Sequence, residues 1–412
     1  MTWPSRIRYA GRYHERWRNS NRGSDMTTDA DDSIRPFEVS VGRDEIDDLR
    51  TRLERTRWPD QLPETGWADG TEREFLRDLC AYWRAEFDWA AFEDRCNEFD
   101  QYVTTIDGQR LHFYHVRSPE SDATPLVLSH GWPGSVTEFL DVLGPLTDPA
   151  AHGGDPADAF HVVAPSLPGF GFSGPTGERG YDVPRIADVV ADLMARLGYD
   201  RYVAQGGDWG ALVAALLGAN YPDRVDAIHT NMLFLNPSSL EADDPTDLLD
   251  EQGLADYQET AAFRETETAY HEIQATKPRS LAYGLTDSPA GLAGWIVEKF
   301  RAWSDCDGDL ESWIDRDRLL DNLSVYWLTG TIGSSMRLYA ETDVGAATPD
   351  SVDVPTGHAR YPAEVYKTPR GWAEAVYDVE YWSEQPEGGH FAAMEVPELF
   401  VEDLRAFAGE FG

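Results

Sequence analysis

Five residues, Gly206-Gly207-Asp208-Trp209-Gly210, constrain this chain more than any other stretch. An apolar run, Tyr202-Val203-Ala204, precedes them and a longer one, Ala211 to Leu217, follows, so a buried strand has to turn sharply into a helix here. Glycines two positions either side of the centre are what such a turn needs, because the backbone comes too close for side chains. This is the setting of a nucleophile elbow, with a carboxylate where a serine is the usual occupant. Backbone N–H groups at the helix start can also serve developing negative charge. An aspartate at the head of a helix is an ordinary N-cap as well, so the stretch alone leaves both readings open.

Composition narrows the setting. With 412 residues the chain can bury a large core in one α/β domain with insertions, or in two to three smaller units. It has no run of eighteen or more apolar residues and no signal-peptide core at its start, so a soluble, cytoplasmic protein is expected. Cys80, Cys96 and Cys306 are odd in number and widely spaced, which supports neither a disulfide framework nor a metal site, and no cofactor is expected. The formal net charge is −39, and only Lys277, Lys299 and Lys367 among the 35 basic residues are lysines. Such a surface repels nucleic acid and anionic membranes. It reads as a halophile's solubility strategy, with an ordinary acidic enzyme as the alternative.

Taken in order, residues 1–33 are expected to be a disordered or misassigned extension. Six arginines up to Arg22 stand against Glu15 and Asp25, whereas Met26-Thr27-Thr28-Asp29 opens the acidic character of the rest, so translation is expected to begin at Met26. Residues 34–117 form a preface with two amphipathic helices, over Asp44–Arg57 and Thr71–Asp88. A hairpin follows, its strands Tyr102–Ile106 and Leu111–Val116 joined at Asp107-Gly108 and forming the antiparallel edge of a larger sheet.

From 118 to 235 strand and helix alternate, which predicts a mostly parallel sheet flanked by helices. Strands are expected at Leu126–Ser129, His161–Ala164, Tyr202–Ala204 and Val225–His229, with helices at Thr137–Leu146, Val183–Leu197 and after the elbow. Residues 236–345 are helical in pattern and rich in Trp and Tyr, a helical lid inserted after a mid-sheet strand. The alternation resumes over 346–412, with strands near Val352 and Val376–Trp382 and a closing helix from Val396.

Two loops complete a constellation around the elbow. His130-Gly131-Trp132-Pro133-Gly134-Ser135 follows the first core strand, where a backbone N–H can point into the crevice at the strand's C-terminal end. The N–H groups of Trp132 and Trp209 would then make a two-donor oxyanion hole, each donor contributing roughly 3–4 kcal/mol. Gly388-Gly389-His390-Phe391 lies after the last strand, so a late histidine follows the central carboxylate in chain order. Its acidic partner should precede it, and by position Glu364 and Asp353 both qualify, whereas Glu384 and Glu387 read as solvated.

Assembled, these residues resemble the microsomal-type epoxide hydrolases of the α/β-hydrolase fold. The resemblance runs from about Ile34 to the C-terminus. It rests on the helical preface, HGWPGS at 130–135, LPGFGFS at 167–173, GGDWG at 206–210 and GGHFAA at 388–393, and in the lid on YHEIQATKP at 270–278 and YWLTGTI at 326–332. The resemblance implies Asp208 as nucleophile, His390 as general base, Glu364 in Tyr361-Pro362-Ala363-Glu364 as its acid, and the lid tyrosines Tyr270 and Tyr339 as proton donors. The last assignment rests on the looser match Ser334-Ser335-Met336-Arg337-Leu338-Tyr339. The family's mammalian members carry a membrane-anchoring helix ahead of the preface, which the arginine-rich segment here does not resemble.

That chemistry suits these residue types. A carboxylate attacks an epoxide carbon without first losing a proton, and tyrosines with an ordinary pKa of about 10 can hydrogen-bond the ring oxygen and donate as it becomes basic. His390 then activates water against the Asp208 ester. The expected partners are a small apolar epoxide and water, with no nucleic acid and no membrane. Trp295, Trp303 and Trp327 are candidates to line an apolar pocket. Two rivals are a haloalkane dehalogenase, which needs side-chain N–H donors for a halide, and a non-catalytic relative of the fold. The particular epoxide, the regio- and enantioselectivity and the oligomeric state, a homo-oligomer included, stay open.

Overall fold

Alternating apolar runs give the strands and amphipathic periodicity gives the helices between them. The computed structural model describes residues 32–237, 240 and 244–411; the arginine-rich segment and the Met26 start lie outside the described residues. Nine strands among these residues form one sheet: β1 (Arg35–Pro36), β2 (Gln101–Ile106), β3 (Gln109–Val116), β4 (Thr124–Ser129), β5 (Phe160–Pro165), β6 (Tyr202–Gly206), β7 (Val225–Thr230), β8 (Val352–Arg360) and β9 (Tyr377–Glu384). Their order is β1-β2-β3-β5-β4-β6-β7-β8-β9. The hairpin β2–β3 pairs antiparallel to β5, and β4 to β9 run parallel. The hairpin is not the sheet's edge as the sequence implied. Two residues of β1 pair outside β2, from a stretch whose burial pattern shows no alternation.

The order reverses at β4, which lies between β5 and β6. Loops that follow β4 and β6 therefore open into one crevice at the C-terminal ends of the strands, the usual ligand position in such sheets. All five residues of β6 are buried. The helix Trp209–Asn220 behind it buries ten of its residues, Trp209 to Gly218, which explains its lack of an exposed polar face. The helix Val183–Arg196 is amphipathic and is capped by Asp182, whose side chain accepts from the Arg185 N–H at 3.1 Å.

Seven helices between Glu251 and Ala347 form the insertion between β7 and β8. The preface has helices at Arg43–Glu54 and Arg73–Ala85, as predicted, and a third at Trp89–Cys96 that periodicity did not reveal. The preface packs against the insertion. Arg95 forks onto Asp321 through bonds of 2.6 and 2.8 Å, Arg318 reaches the same carboxylate at 3.1 Å, and the Trp83 indole donates to Ser324 at 3.1 Å. Asp321 is fully buried, so these two guanidinium groups compensate a charge that water cannot reach. Cys80, Cys96 and Cys306 are buried free thiols. Among the described residues no helix is long and apolar enough to cross a membrane.

Candidate active site

The elbow takes its shape from its glycines. Asp208 sits at φ 48°, ψ −130°, a left-handed conformation that few non-glycine residues adopt, at the junction of β6 and the following helix. A Cβ on Gly206 would collide with the carbonyl of Gly210, and one on Gly210 with that of Ser129, so neither position tolerates a side chain. The Asp208 carboxylate does not cap the helix it precedes. Instead Oδ1 accepts from the Trp132 N–H at 2.8 Å, and the side chain lies where a Cβ on Gly131 would stand. The N-cap reading therefore does not hold.

Loop 130–135 is fixed from two sides. His130 is buried, its Nε2 accepting from the Leu167 N–H at 3.2 Å; burial pushes its pKa down to about 4, leaving it neutral and able to accept. From the insertion, Asn322 donates to the Pro133 carbonyl at 2.9 Å and the Tyr326 hydroxyl to the Gly134 carbonyl at 2.8 Å. The Trp132 N–H is thus aimed by the β5 loop and by the helix Arg316–Thr329 together.

His390 and Glu364 are brought together by loops stitched beyond β8 and β9. The Ala363 N–H donates to the Gly388 carbonyl at 3.1 Å, and the His390 N–H to the Trp303 carbonyl at 3.0 Å. His390 Nδ1 lies 2.9 Å from Glu364 Oε1, which also accepts from the Tyr366 N–H at 3.1 Å. On the other side of the ring, Nε2 is 3.5 Å from Asp208 Oδ2. Burial alone would drive His390 towards its neutral form, but the Glu364 and Asp208 carboxylates outweigh it and hold its pKa well above 6.5. Asp353, the other positional candidate, is exposed early in β8, and Glu384 pairs with Arg360 at 2.9 Å on the surface.

The insertion sets aromatic rings over this carboxylate. Tyr270 stacks on Trp132 with centroids 5.4 Å apart and planes at 8°, while Tyr339 meets Trp132 edge-on at 5.8 Å and Trp209 at 4.8 Å. The two tyrosine rings are 6.0 Å apart. Burial raises both phenols above the ordinary value of 10, for Tyr270 with the Asp208 charge next, and for Tyr339 with Tyr270 and Asp208 adding to it. Both are therefore neutral, hydrogen-bearing groups, and their acidity is not the unperturbed one assumed from sequence. Trp209 reaches the site through its ring; the hydrogen bond to the carboxylate comes from Trp132.

Trp303 also adjoins the site, 5.2 Å from Tyr270 and 5.1 Å from His390 by centroids. Trp327 is turned away, under Arg52 of the preface at 5.6 Å, and Trp295 donates to Gln274 at 3.0 Å. Two neighbours escaped the sequence. Lys299, buried, places its ammonium 4.9 Å from the Tyr270 ring centroid, and its one signal was lysine in a chain that favours arginine. Glu138 lines the same cavity as Asp208 and His390, and its signal was Ser135-x-x-Glu138 beside the HGWPGS loop.

Known proteins match this architecture. The family described as "Epoxide hydrolase N terminus" matches residues 34–139, and "alpha/beta hydrolase fold" matches 124–274. The chain is 37% identical over 410 residues to Epoxide hydrolase 1 of Oryctolagus cuniculus, covering 92% of this chain and 89% of that one. Among solved structures, juvenile hormone epoxide hydrolase from the silkworm Bombyx mori superposes with a TM-score of 0.84 at 33% identity, covering 93% of this chain and 95% of that one. Aspergillus niger epoxide hydrolase gives 0.82 at 31%, covering 93% and 98%. An N-terminal match of that description, the α/β-hydrolase sheet and relatives alike over nearly their whole length lead to one conclusion: the chain belongs to the epoxide hydrolase family.

Proposed function

We propose that this protein hydrolyses a small apolar epoxide to its vicinal diol through a covalent ester on Asp208. The supporting observation is the single line of contact from Glu364 through His390 to Asp208, facing two neutral tyrosines across the crevice.

In the first step Asp208 Oδ attacks an epoxide carbon from the side opposite the C–O bond. That bond breaks, and the oxygen takes a proton from the Tyr270–Tyr339 pair. Phenols held well above 10 are weak acids that part with the proton only as the oxygen becomes strongly basic, which places the donation in the transition state. Esterification removes the Asp208 charge that helped to hold the His390 proton. That proton returns the tyrosine pair to its neutral form, and His390 becomes a free base.

In the second step water adds to the Asp208 carbonyl carbon while His390 Nε2 takes one of its protons. Charge develops on the carbonyl oxygen, for which the Trp132 N–H already stands at 2.8 Å and the Trp209 N–H at the head of the helix is the second donor. The ester C–O bond breaks, the departing diol oxygen takes the second proton of the attacking water, and the anionic Asp208 and protonated His390 are restored. Epoxide and water go in and diol comes out.

Incubation with an aryl or alkyl epoxide in strong salt tests the reading: diol should form, and Asp208→Ala should abolish it. Diol formation at wild-type rate in D208A overturns the mechanism. Halide release from a chloroalkane, without diol from the epoxide, would favour a dehalogenase instead.

A further inference from the structure

Glu138 is a titratable group of the active-site cavity that the two steps above leave unused. Gly134, Glu138, Asp208, Asn231 and His390 are among the walls of that cavity. The side chain folds back from the turn Val136–Phe139 over Gly134, and a Cβ at Gly134 would occupy the place of its carboxylate. That glycine therefore makes the room in which the carboxylate lies.

Capping explains part of this. Ser135 and Glu138 have capping-box spacing, and the Ser135 hydroxyl caps the turn by accepting from the Thr137 N–H at 3.4 Å. A glutamate that served only the cap would do so equally well in water. This one is half-buried at the cavity wall, where lost hydration pushes its carboxyl up to about 8, with His390 pulling it down and Asp208 pushing it up. It feels the charges of both groups across the cavity, and near neutrality it keeps a proton to donate.

We propose that Glu138 is a positioning residue for the second step, holding the attacking water against His390 Nε2. The inference rests on the roles given above to Asp208 and His390. An ordered water needs two to four polar partners, and Glu138 and His390 line the same cavity. The balance of the step is unchanged. The water oxygen bonds to the Asp208 carbonyl carbon, one of its protons passes to His390 and the other to the diol oxygen as that bond breaks, and Glu138 ends with the proton it began with. Ester formation consumes no water and so does not call on Glu138.

The two half-reactions are separated by rapid quenching and intact-protein mass, using wild type, Glu138→Ala, Glu138→Asp and His390→Gln with an aryl epoxide. In E138A ester formation should stay within about threefold of wild type while ester breakdown slows about a hundredfold, so the ester accumulates. E138D, which keeps the carboxyl but withdraws it from the cavity, should show the same selective defect, and serves if E138A does not fold. Equal slowing of both half-reactions, as loss of a cap alone would cause, overturns the proposal. So does ester breakdown at wild-type rate in E138A. Absence of an ester in H390Q would instead overturn the reading of Asp208 itself, and this inference with it.

Discussion

His390 Nε2 lies 3.5 Å from Asp208 Oδ2, whereas its Nδ1 is 2.9 Å from Glu364. A charge-assisted hydrogen bond is about 2.7–2.9 Å long, so the ring is clamped to the glutamate and only attracted to the aspartate. It can stay in place when Asp208 becomes an ester. Replacing His390 with Gln should therefore leave attack on the epoxide intact and stop release. Turnover should fall about 10²–10⁴-fold, and the protein should gain the mass of one epoxide. A mass spectrum without that adduct sinks the idea.

The same ring predicts a pH dependence. In the resting protein His390 binds its proton well above 6.5, because Glu364 and Asp208 outweigh burial. In the proposed mechanism esterification of Asp208 removes one of those charges, so the ring's pKa should fall in the intermediate. Ester breakdown needs the neutral ring and should drop as pH falls through this lowered value, while the resting protein still titrates higher. Because the folded pKa exceeds the unfolded one of about 6.5, the stability contributed by this proton is full below about 6.5 and is lost as pH rises through the folded value. Single-turnover breakdown measured against pH, beside an NMR titration of the resting ring, checks the order of the two values.

Tyr270→Phe and Tyr339→Phe should each slow ester formation by about tenfold to a hundredfold, with the double variant slower still. Burial keeps both phenols protonated above 10, so wild-type formation should show no loss from tyrosine ionisation as pH passes through 10. A formation rate that falls there in a protein still folded by circular dichroism contradicts this assignment.

Arg95→Ala leaves the buried Asp321 with Arg318 alone. Removing one partner of a buried charge costs about 3 kcal/mol, so the guanidinium-induced unfolding midpoint should fall clearly. Loss of the Arg95 contact should also loosen the preface from the insertion, read as faster amide exchange in the helix Arg316–Thr329. An unchanged midpoint would mean that Arg318 suffices.

Self-repulsion at a net charge of −39 should make stability depend on salt. The screening length falls from about 10 Å at 0.1 M to about 3 Å at 1 M, so the melting temperature should rise steeply between those concentrations. A protein that keeps its structure and melting point on dialysis into low salt is not halophilic in this sense.

The sheet and the elbow were legible because their signals are local: buried runs of five or six residues, and glycines whose spacing the turn itself imposes. The helix Trp89–Cys96 was not, since eight residues give barely two turns of periodicity. Glu364 could not be told from Asp353 by position alone, because the difference between them is which loop Gly388 stitches down. Asp321 is one of 74 acidic residues, and nothing in its neighbourhood along the chain announces that Arg95 will come to meet it. Glu138 carried a clear signal of the wrong kind, since Ser-x-x-Glu reads as a cap, while its place in the cavity exists only once His390 arrives from the other end of the chain.

Trp132 touches nearly everything in the crevice: its N–H binds Asp208, and its ring lies between Tyr270, Tyr339 and Trp303. For protein engineering this makes position 132 a poor handle on selectivity, although it borders the pocket. A smaller residue there would enlarge the space for substrate and, in the same stroke, unseat the tyrosine shelf and shift the amide that binds the Asp208 carboxylate. Variants that accept bulkier epoxides should accordingly be sought at Trp303, whose side chain can change while its backbone carbonyl still holds His390, and libraries randomised at 132 should return mainly inactive clones.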